Sequence, residues 1–502
     1  MMYAQNNDFT YVKNLYVDRN IFIGKKPVTC LLPRFEDIKD KLPKPVFDGH
    51  DSEINCYYKA WEIAFGNIAN PNKESGFVSP FVDTAFNGDL FMWDSSFMMM
   101  FCKYAAHLFD FQGTLDNFYA LQHADGFICR EVSKETGLDI FSRFDPSSTG
   151  PNIMPWAEWE YYKFHGNAER IKSVFAPLLA YYEWMRENRT WKDGTYFSSG
   201  LGCGMDNMPR VEPQYNELFS TGHMVWLDVC CQQILSCNIL AEMADMLGDK
   251  TKAAELIKES SVLSDTVNNM LWDNETEFYY DMYRNGSRSS IKTAAAYWAL
   301  TAGIVPHERI DGFTAHLENE KEFKRPHRVP VLSADNPKYD GEGGYWKGSV
   351  WAPVNYMILK GLTGCGKNNL AYDIACNHLK NVTECFEKTG TLWENYAPEK
   401  AQPGNISKSD FIGWTGLVPI AVLIEYVLGI QVCKGKIVWN INRTERHGIT
   451  GLTIGENRVD LLCEGRSSKN EIPKVKVSSD KPISVECHVN GKVFSVSELN
   501  YK

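Results

Sequence analysis

GEGGYWKGSVWAPVN, residues Gly341 to Asn355, sets three glycines within four positions and two tryptophans around a Lys-Gly pair. A helical run from Tyr356 to Leu362 follows at once. Glycine lets the backbone bend sharply and approach a ligand closely. Tryptophan offers a broad flat face with one polar N–H. Such rings beside a lysine and an asparagine suit a sugar, which has apolar ring faces and hydroxyl edges. A helix start packed by aromatic residues explains this one stretch as well. Similar stretches recur along the chain, and that recurrence favours the sugar.

The surrounding sequence is helical. From about residue 51, apolar positions recur at helical spacing in roughly twelve segments. They lie near 54–68, 93–109, 112–122, 152–165, 168–188, 217–247, 249–271, 290–303, 306–317, 348–363, 366–386 and 411–428. Short links such as Gly166-Asn167 and Gly248-Asp249-Lys250 alternate with longer loops rich in Gly, Pro and aromatic residues. Short then long, repeated, predicts helical hairpins. Six of them closed in a ring make a mainly α fold, a double-layered (α/α)6 barrel with its long loops at one end. No fixed-period repeat is visible, which argues against a solenoid.

Two flanks differ from this body. Residues 1–50 read as an extended strap, with Pro27, Pro33, Pro43 and Pro45 opposing helix. After Gly429 the pattern alternates, with turns expected at His447-Gly448 and Gly455-Glu456-Asn457. Asn490-Gly491 between two alternating runs is a hairpin signal. Residues 431–502 are therefore predicted to form a small antiparallel β domain, with the strap as a candidate to pair with it. The barrel would occupy 51–430.

With 502 residues the chain can bury a large core. A net charge of −11 excludes nucleic acid or an anionic membrane as the main partner. The 14 cysteines are scattered, without recurring zinc spacing, and read as reduced, partly buried residues. The N-terminus has no basic and apolar leader, and no apolar run of about 18 residues appears. The expected location is cytoplasmic. No cofactor and no metal site is expected, there being no EF-hand-type loop.

Candidate chemistry follows the loops. In FMWDSSF, Asp94 either caps a helix or meets substrate, and Trp93 is the better ring-facing contact. Between Gly126 and Asn152 the chain is too polar for core, and loops of this length are often functional. Arg130 and Glu131 there either bind hydroxyls or form an ion pair. Trp156 and Trp159, three apart, suit core packing. SSGLGCGMDNMPR, Ser198 to Arg210, holds Asp206 in a glycine-rich loop. An aspartate shielded from water there gains a raised pKa, as a general acid near neutrality requires; an Asx-turn is the alternative. TLWENYAPEKAQPG places Glu394 between Trp393 and Asn395, an unusual setting for a solvated glutamate. It is the best partner for Asp206, ahead of Glu399. Trp414 near the last helix also points to the loop end. Two carboxylates flanking a glycosidic bond can hydrolyse it, one as proton donor and the other activating water or attacking the sugar.

These residues resemble a known family. GMDNMPR is similar to the G-(Met/Leu)-D-N-S-P-R segment of glycoside hydrolase family 63, and YWKGSVWAPVN to its Y-W-R-G-x-I-W-x-x-x-N signature. FMWDSSF resembles the W-D-S segment shared with trehalases, and DPSSTGPNIMPWAEWEYYK resembles their S-Q-P-P…W-A segment. LWENYAPE with FIGWTG resembles their E-K-Y-D…F-G-W-T-N-G. All five run in the same order, from about residue 91 to 428. The resemblance implies an (α/α)6 barrel and inverting hydrolysis of an α-linked oligosaccharide or glycoside. By position it implies Asp206 as general acid and Glu394 as general base. It places Trp93, Asp94, Asn207, Arg210, Trp346, Lys347, Trp351, Asn355 and Trp414 at binding positions. Arg130 and Trp393 complete the expected substrate-binding set on their own reading. Lys347 for arginine, Met208 for serine and the altered PSSTGP argue against trehalose. A short α-glucoside or α-mannoside is expected, with mannosylglycerate hydrolases and bacterial α-glucosidases as the nearest relatives.

Three rivals are distinguishable. A six-hairpin sugar epimerase would depend on histidines, of which only His123 and His223 lie near candidate loops. A non-catalytic carbohydrate-binding protein would need no carboxylate pair. A phosphorylase would need a phosphate-binding cluster, and none is apparent.

Overall fold

A computed structural model describes residues 12–496. Its helices come in two kinds, and burial tells them apart. Met92–Cys102 and Val418–Val427 are buried at every position, around their whole circumference. A helix of that kind belongs inside a large core. Lys250–Met270, in contrast, buries a single stripe: Ala253, Leu256, Ser260, Leu263 and Val267. It packs along Leu227–Met246, which also meets Met154–His165 and Ala168–Asn188. Asn368–Thr389 lies against Ala352–Gly364 and against Val418–Val427.

The short links work as their residues dictate. Gly166 ends Met154–His165 in the left-handed conformation, and the Asn167 side chain accepts from Arg170 N–H to start Ala168–Asn188. Gly248 has φ +84°, and the Asp249 side chain caps Lys250–Met270 through Lys252 N–H. A left-handed glycine followed by an Asx cap reverses the chain within two residues. Inside the core, Glu425 accepts from Lys103 at 3.0 Å, Tyr104 at 2.8 Å and Lys360 at 2.7 Å. Glu160 joins both lysines at 3.5 and 3.4 Å. Each buried charge is thus partnered, as burial demands.

Some expectations change. Residues 217–226 are not helical. Asn216 turns its side chain onto Leu218 and Phe219 N–H, Gly222 and His223 both have positive φ, and Met224–Val225 pairs with Met282–Tyr283. The strap is also not wholly extended, since Phe35–Ile38 forms one helical turn; residues 1–11 of it lie outside the described residues.

The C-terminal region holds two four-stranded sheets. One joins Lys44–Phe47 of the strap to His447–Ile454, Asn457–Cys463 and Val475–Ser479, all antiparallel. The other joins Ile430–Cys433, Lys436–Asn440, Ser484–Val489 and Lys492–Ser495. It is antiparallel except that Lys436–Asn440 runs parallel to Ser484–Val489. The first sheet's strands intervene between those two, so the chain returns in the same direction. Asn490 and Gly491, with φ +49° and +75°, make the two-residue hairpin turn. His447-Gly448 is not a turn. It lies within a strand, where a Cβ on Gly448 would come 2.0 Å from the Leu461 carbonyl oxygen. Among the described residues, no helix is long and apolar enough to cross a membrane.

Candidate active site

The glycine-rich loop that follows Ser198 is shaped by close approach. Ser199 caps the turn Gly200–Cys203 by accepting from Gly202 N–H at 3.1 Å. Gly204, at φ +78°, lies so near the Trp93 ring that a Cβ would sit 2.0 Å from Cζ3. The loop therefore rests on the indole, and Asp206 comes out beside it, half-buried. Arg210 ends the loop. It is 2% exposed and donates to Asp228 at 2.6 and 2.8 Å and to Asp281 at 2.8 and 2.7 Å, over the Trp226 ring.

The stretch 341–355 forms the facing wall. Gly344 and Tyr345 both have positive φ, +59° and +64°. For tyrosine that conformation costs on the order of 1–3 kcal/mol and needs support from its surroundings. The support is at hand: Asn207 Oδ1 accepts from Trp346 N–H at 2.8 Å, and Asn207 Nδ2 donates to Gly344 O at 3.1 Å. Held so, the Tyr345 hydroxyl donates to Glu394 Oε1 at 3.1 Å. Trp346 stacks on Trp351 at 3.8 Å with the planes 3° apart, and Trp93 and Trp414 pack around them.

Glu394 is 3% exposed and fixed from several sides. Its N–H donates to Lys408 O at 2.9 Å, Lys408 N–H donates to its Oε2 at 3.3 Å, and Trp414 Nε1 donates to its carbonyl at 3.1 Å. The Lys408 ammonium donates to Ala85 O at 2.6 Å and to Phe86 O, holding the loop that carries Phe86.

Asp206 and Glu394 both open on one cavity of about 290 Å³, which Trp93, Asp94, Arg130, Trp346 and Trp414 also line. Burial pushes the Asp206 carboxyl up to about 6, against the pull of the Arg130 guanidinium. Burial likewise pushes Glu394 up to about 7; the Tyr345 hydroxyl and Lys408 N–H restrain the rise, and the Asp206 charge adds to it. Asp94, a helix residue and not its cap, is raised well above the usual carboxylate range by burial, with the Glu394 charge adding. Two desolvated carboxylates across a small aromatic cavity can divide proton donation and water activation between them.

Several expected substrate contacts stand behind the cavity instead. Asn207 is the bridge between its walls. Arg210 is consumed by two aspartates. Trp351, fully buried, supports Trp346. Asn355, also fully buried, accepts from Val329 N–H at 3.0 Å and so fixes backbone. Lys347 pairs with Glu217 at 3.3 Å, and Trp393 donates to Thr389 Oγ1 at 3.1 Å. Arg130 and Glu131 form an ion pair at 3.3 Å within the cavity wall. Sequence reasoning passed over Tyr345, Phe86, Asn87 and Phe141, all of which line the cavity. For Tyr345 the signal was present: a bulky residue directly after Gly343-Gly344 in the quoted stretch.

Among the described residues, no histidine lines the cavity. His123 contacts Asp139 and Arg143, and His327 and His378 form a buried pair at 2.7 Å. Among the described residues no group of three or more His, Cys, Asp or Glu is placed to hold a metal ion.

The family model for the "Mannosylglycerate hydrolase MGH1-like glycoside hydrolase domain" matches residues 118–415. An uncharacterised protein of Borreliella burgdorferi is 26% identical over 394 residues, 76% of this chain and 80% of its own length. A probable mannosyl-oligosaccharide glucosidase of Schizosaccharomyces pombe is 27% identical over 282 residues, 49% of this chain and 34% of its own. The crystal structure of the GH63 mannosylglycerate hydrolase from Thermus thermophilus in complex with glucose superimposes with a TM-score of 0.59. It is 20% identical and covers 72% of this chain and 99% of that one. With the family model matching more than half its length, the chain belongs to the MGH1-like glycoside hydrolases and is a glycoside hydrolase.

Proposed function

We propose that the protein hydrolyses short α-glucosides or α-mannosides with inversion, using Asp206 as general acid and Glu394 as general base. The observation that carries the reading is that these two carboxylates, both raised by burial, share one aromatic cavity. Asp206 hands its proton to the leaving oxygen. Glu394, oriented by Tyr345 and Lys408, takes a proton from the water that attacks the anomeric carbon. Trp93 and Trp346 pack on the ring faces. At 290 Å³ the cavity is at the small end for ligand sites, which suits a short substrate. The absence of histidine from its lining disfavours the epimerase reading.

The scaffold we infer is an (α/α)6 barrel formed by residues 51–430, with 431–502 as the β domain and 1–50 as a strap. Contacts between helices support it. Met92–Cys102 touches Met154–His165, which touches Leu227–Met246; Trp298–Thr301 and Ala352–Gly364 follow, and the segment from Thr415 returns to Met92–Cys102. A cytosolic location is supported by the 14 cysteines, all of them unpaired.

Product stereochemistry tests the mechanism. With a panel of α-linked disaccharides and glycosyl-glycerates, NMR should detect the β-anomer of the released sugar first. The α-anomer appearing first would overturn inversion. The pH profile is a further test. Only the singly protonated pair is competent, so kcat/KM should be bell-shaped, with limbs near 6 and 7. It falls at lower pH as the base gains a proton and at higher pH as the acid loses one. In the empty cavity the proton is biased toward Glu394. A glycosidic oxygen hydrogen-bonded to protonated Asp206 supplies the opposite bias when substrate binds.

A further inference from the structure

Resting on the hydrolytic reading above, we propose that the aglycone accepted by this site is uncharged and presents a flat apolar face. The substrate is then a neutral α-glycoside, and glycosides of acids such as glycerate are poor ones.

The scarcity of cations around the cavity is the first argument. Asp94, Glu131, Asp206 and Glu394 all line it, against the single cation Arg130 among the described lining residues. Arg130 is already committed. Its Nε donates to Ser147 O at 2.8 Å, its Nη2 is 3.3 Å from Glu131, and its guanidinium lies 4.5 Å over the Phe141 ring. The nearby lysines are also committed: Lys347 to Glu217, and Lys408 to the carbonyls of Ala85 and Phe86, with its ammonium 5.0 Å over the Phe86 ring. A buried carboxylate is costly unless it is paired. An acidic aglycone would have to displace Glu131 from Arg130 while facing three further carboxyl groups.

The second argument is the wall itself. Phe86, Phe91 and Phe141 line the same cavity, and Phe86 meets Phe91 edge-on at 5.9 Å. Phe86 remains 40% exposed although the Lys408 ammonium secures its loop. An aromatic wall fixed in place, with Phe86 partly open to solvent beside the Lys408 ammonium, suits the apolar face of a second sugar ring or an aryl group.

The test compares substrates sharing one glycone. α-Mannosyl-glycerol and α-mannosyl-glycerate differ by a hydroxymethyl in place of a carboxylate, and the glucosyl pair repeats the comparison. The glycerol compound should have the higher kcat/KM by at least tenfold. An α-linked disaccharide and an aryl α-glycoside then separate the two sources of an apolar face, and at least one should exceed the glycerol compound. Phe86→Ala should erase that excess. Equal or faster cleavage of the glycerate compounds overturns the inference and leaves the hydrolytic reading standing, as does failure of both flat aglycones to exceed glycerol. No turnover of any α-glycoside overturns the hydrolytic reading, and the inference with it.

Discussion

Glu394→Gln is expected to lower kcat by about 10³-fold or more, within the range known for loss of a general base. The amide is nearly isosteric and can still accept from the Tyr345 hydroxyl, but it cannot take a proton from water. KM should change little. The same variant should gain stability at pH 8. Glu394 has a folded pKa of about 7 against an ordinary 4.5, so its contribution is intact below about 4.5 and is lost as pH rises through 7. Glutamine removes that loss, a gain of at most about 3 kcal/mol at pH 8 that vanishes near pH 4.5. Urea unfolding at the two pH values reads the difference. Lost activity with raised alkaline stability distinguishes a strained catalytic carboxylate from one that holds the fold together. If kcat persisted, Glu394 would not be the base.

Arg210→Met should cost about 3–5 kcal/mol, because it leaves Asp228 and Asp281 charged, buried and face to face. Asp281 also accepts from Leu227 N–H at 3.0 Å, so the start of Leu227–Met246 shares the damage. Adding Asp228→Asn and Asp281→Asn should recover part of the loss, since most of the penalty is the unpaired charge. Denaturant midpoints measure both steps. A residue that touched sugar would instead raise KM and leave the midpoint alone. Arg210 is four positions from Asp206, so kcat should fall together with stability.

Much of this was legible in the residues, for identifiable reasons. Helices such as 168–188 could be read because Gly166 and Asn167 mark a stop and a start whatever surrounds them. Asn490-Gly491 marks its hairpin equally locally. The misread segment, 217–226, carries apolar residues at helical spacing, but Asn216 and Gly222 impose turns that periodicity does not weigh. Gly448 shows the converse. Its close neighbour is Leu461 on the following strand, and a His-Gly pair reads the same whether it turns the chain or lets a paired strand approach. In the site, Asp206 and Glu394 drew attention through their odd surroundings of glycine and tryptophan. The places of Arg210, Asn355 and Trp351 could not be read in the same way. A buried arginine looks identical in sequence whether its partner is a ligand or, as here, two aspartates 18 and 71 residues away. The Phe86 wall escaped because its loop belongs to no motif; it lies just before FMWDSSF and packs on Phe91, while the lysine that secures it, Lys408, comes more than 300 residues later.

The Asn207 side chain spans the gap between the loop of Asp206 and the turn of Tyr345 with two hydrogen bonds, and Tyr345 reaches on to Glu394. The spacing of the two carboxylates is thereby tied by a short polar tether, alongside the local contacts that fix each loop, more than by the diameter of the scaffold. Peripheral helices can then drift in composition, or shift as rigid rods, without detuning the chemistry. A lineage built this way can diverge widely on its outside while its working parts keep their separation.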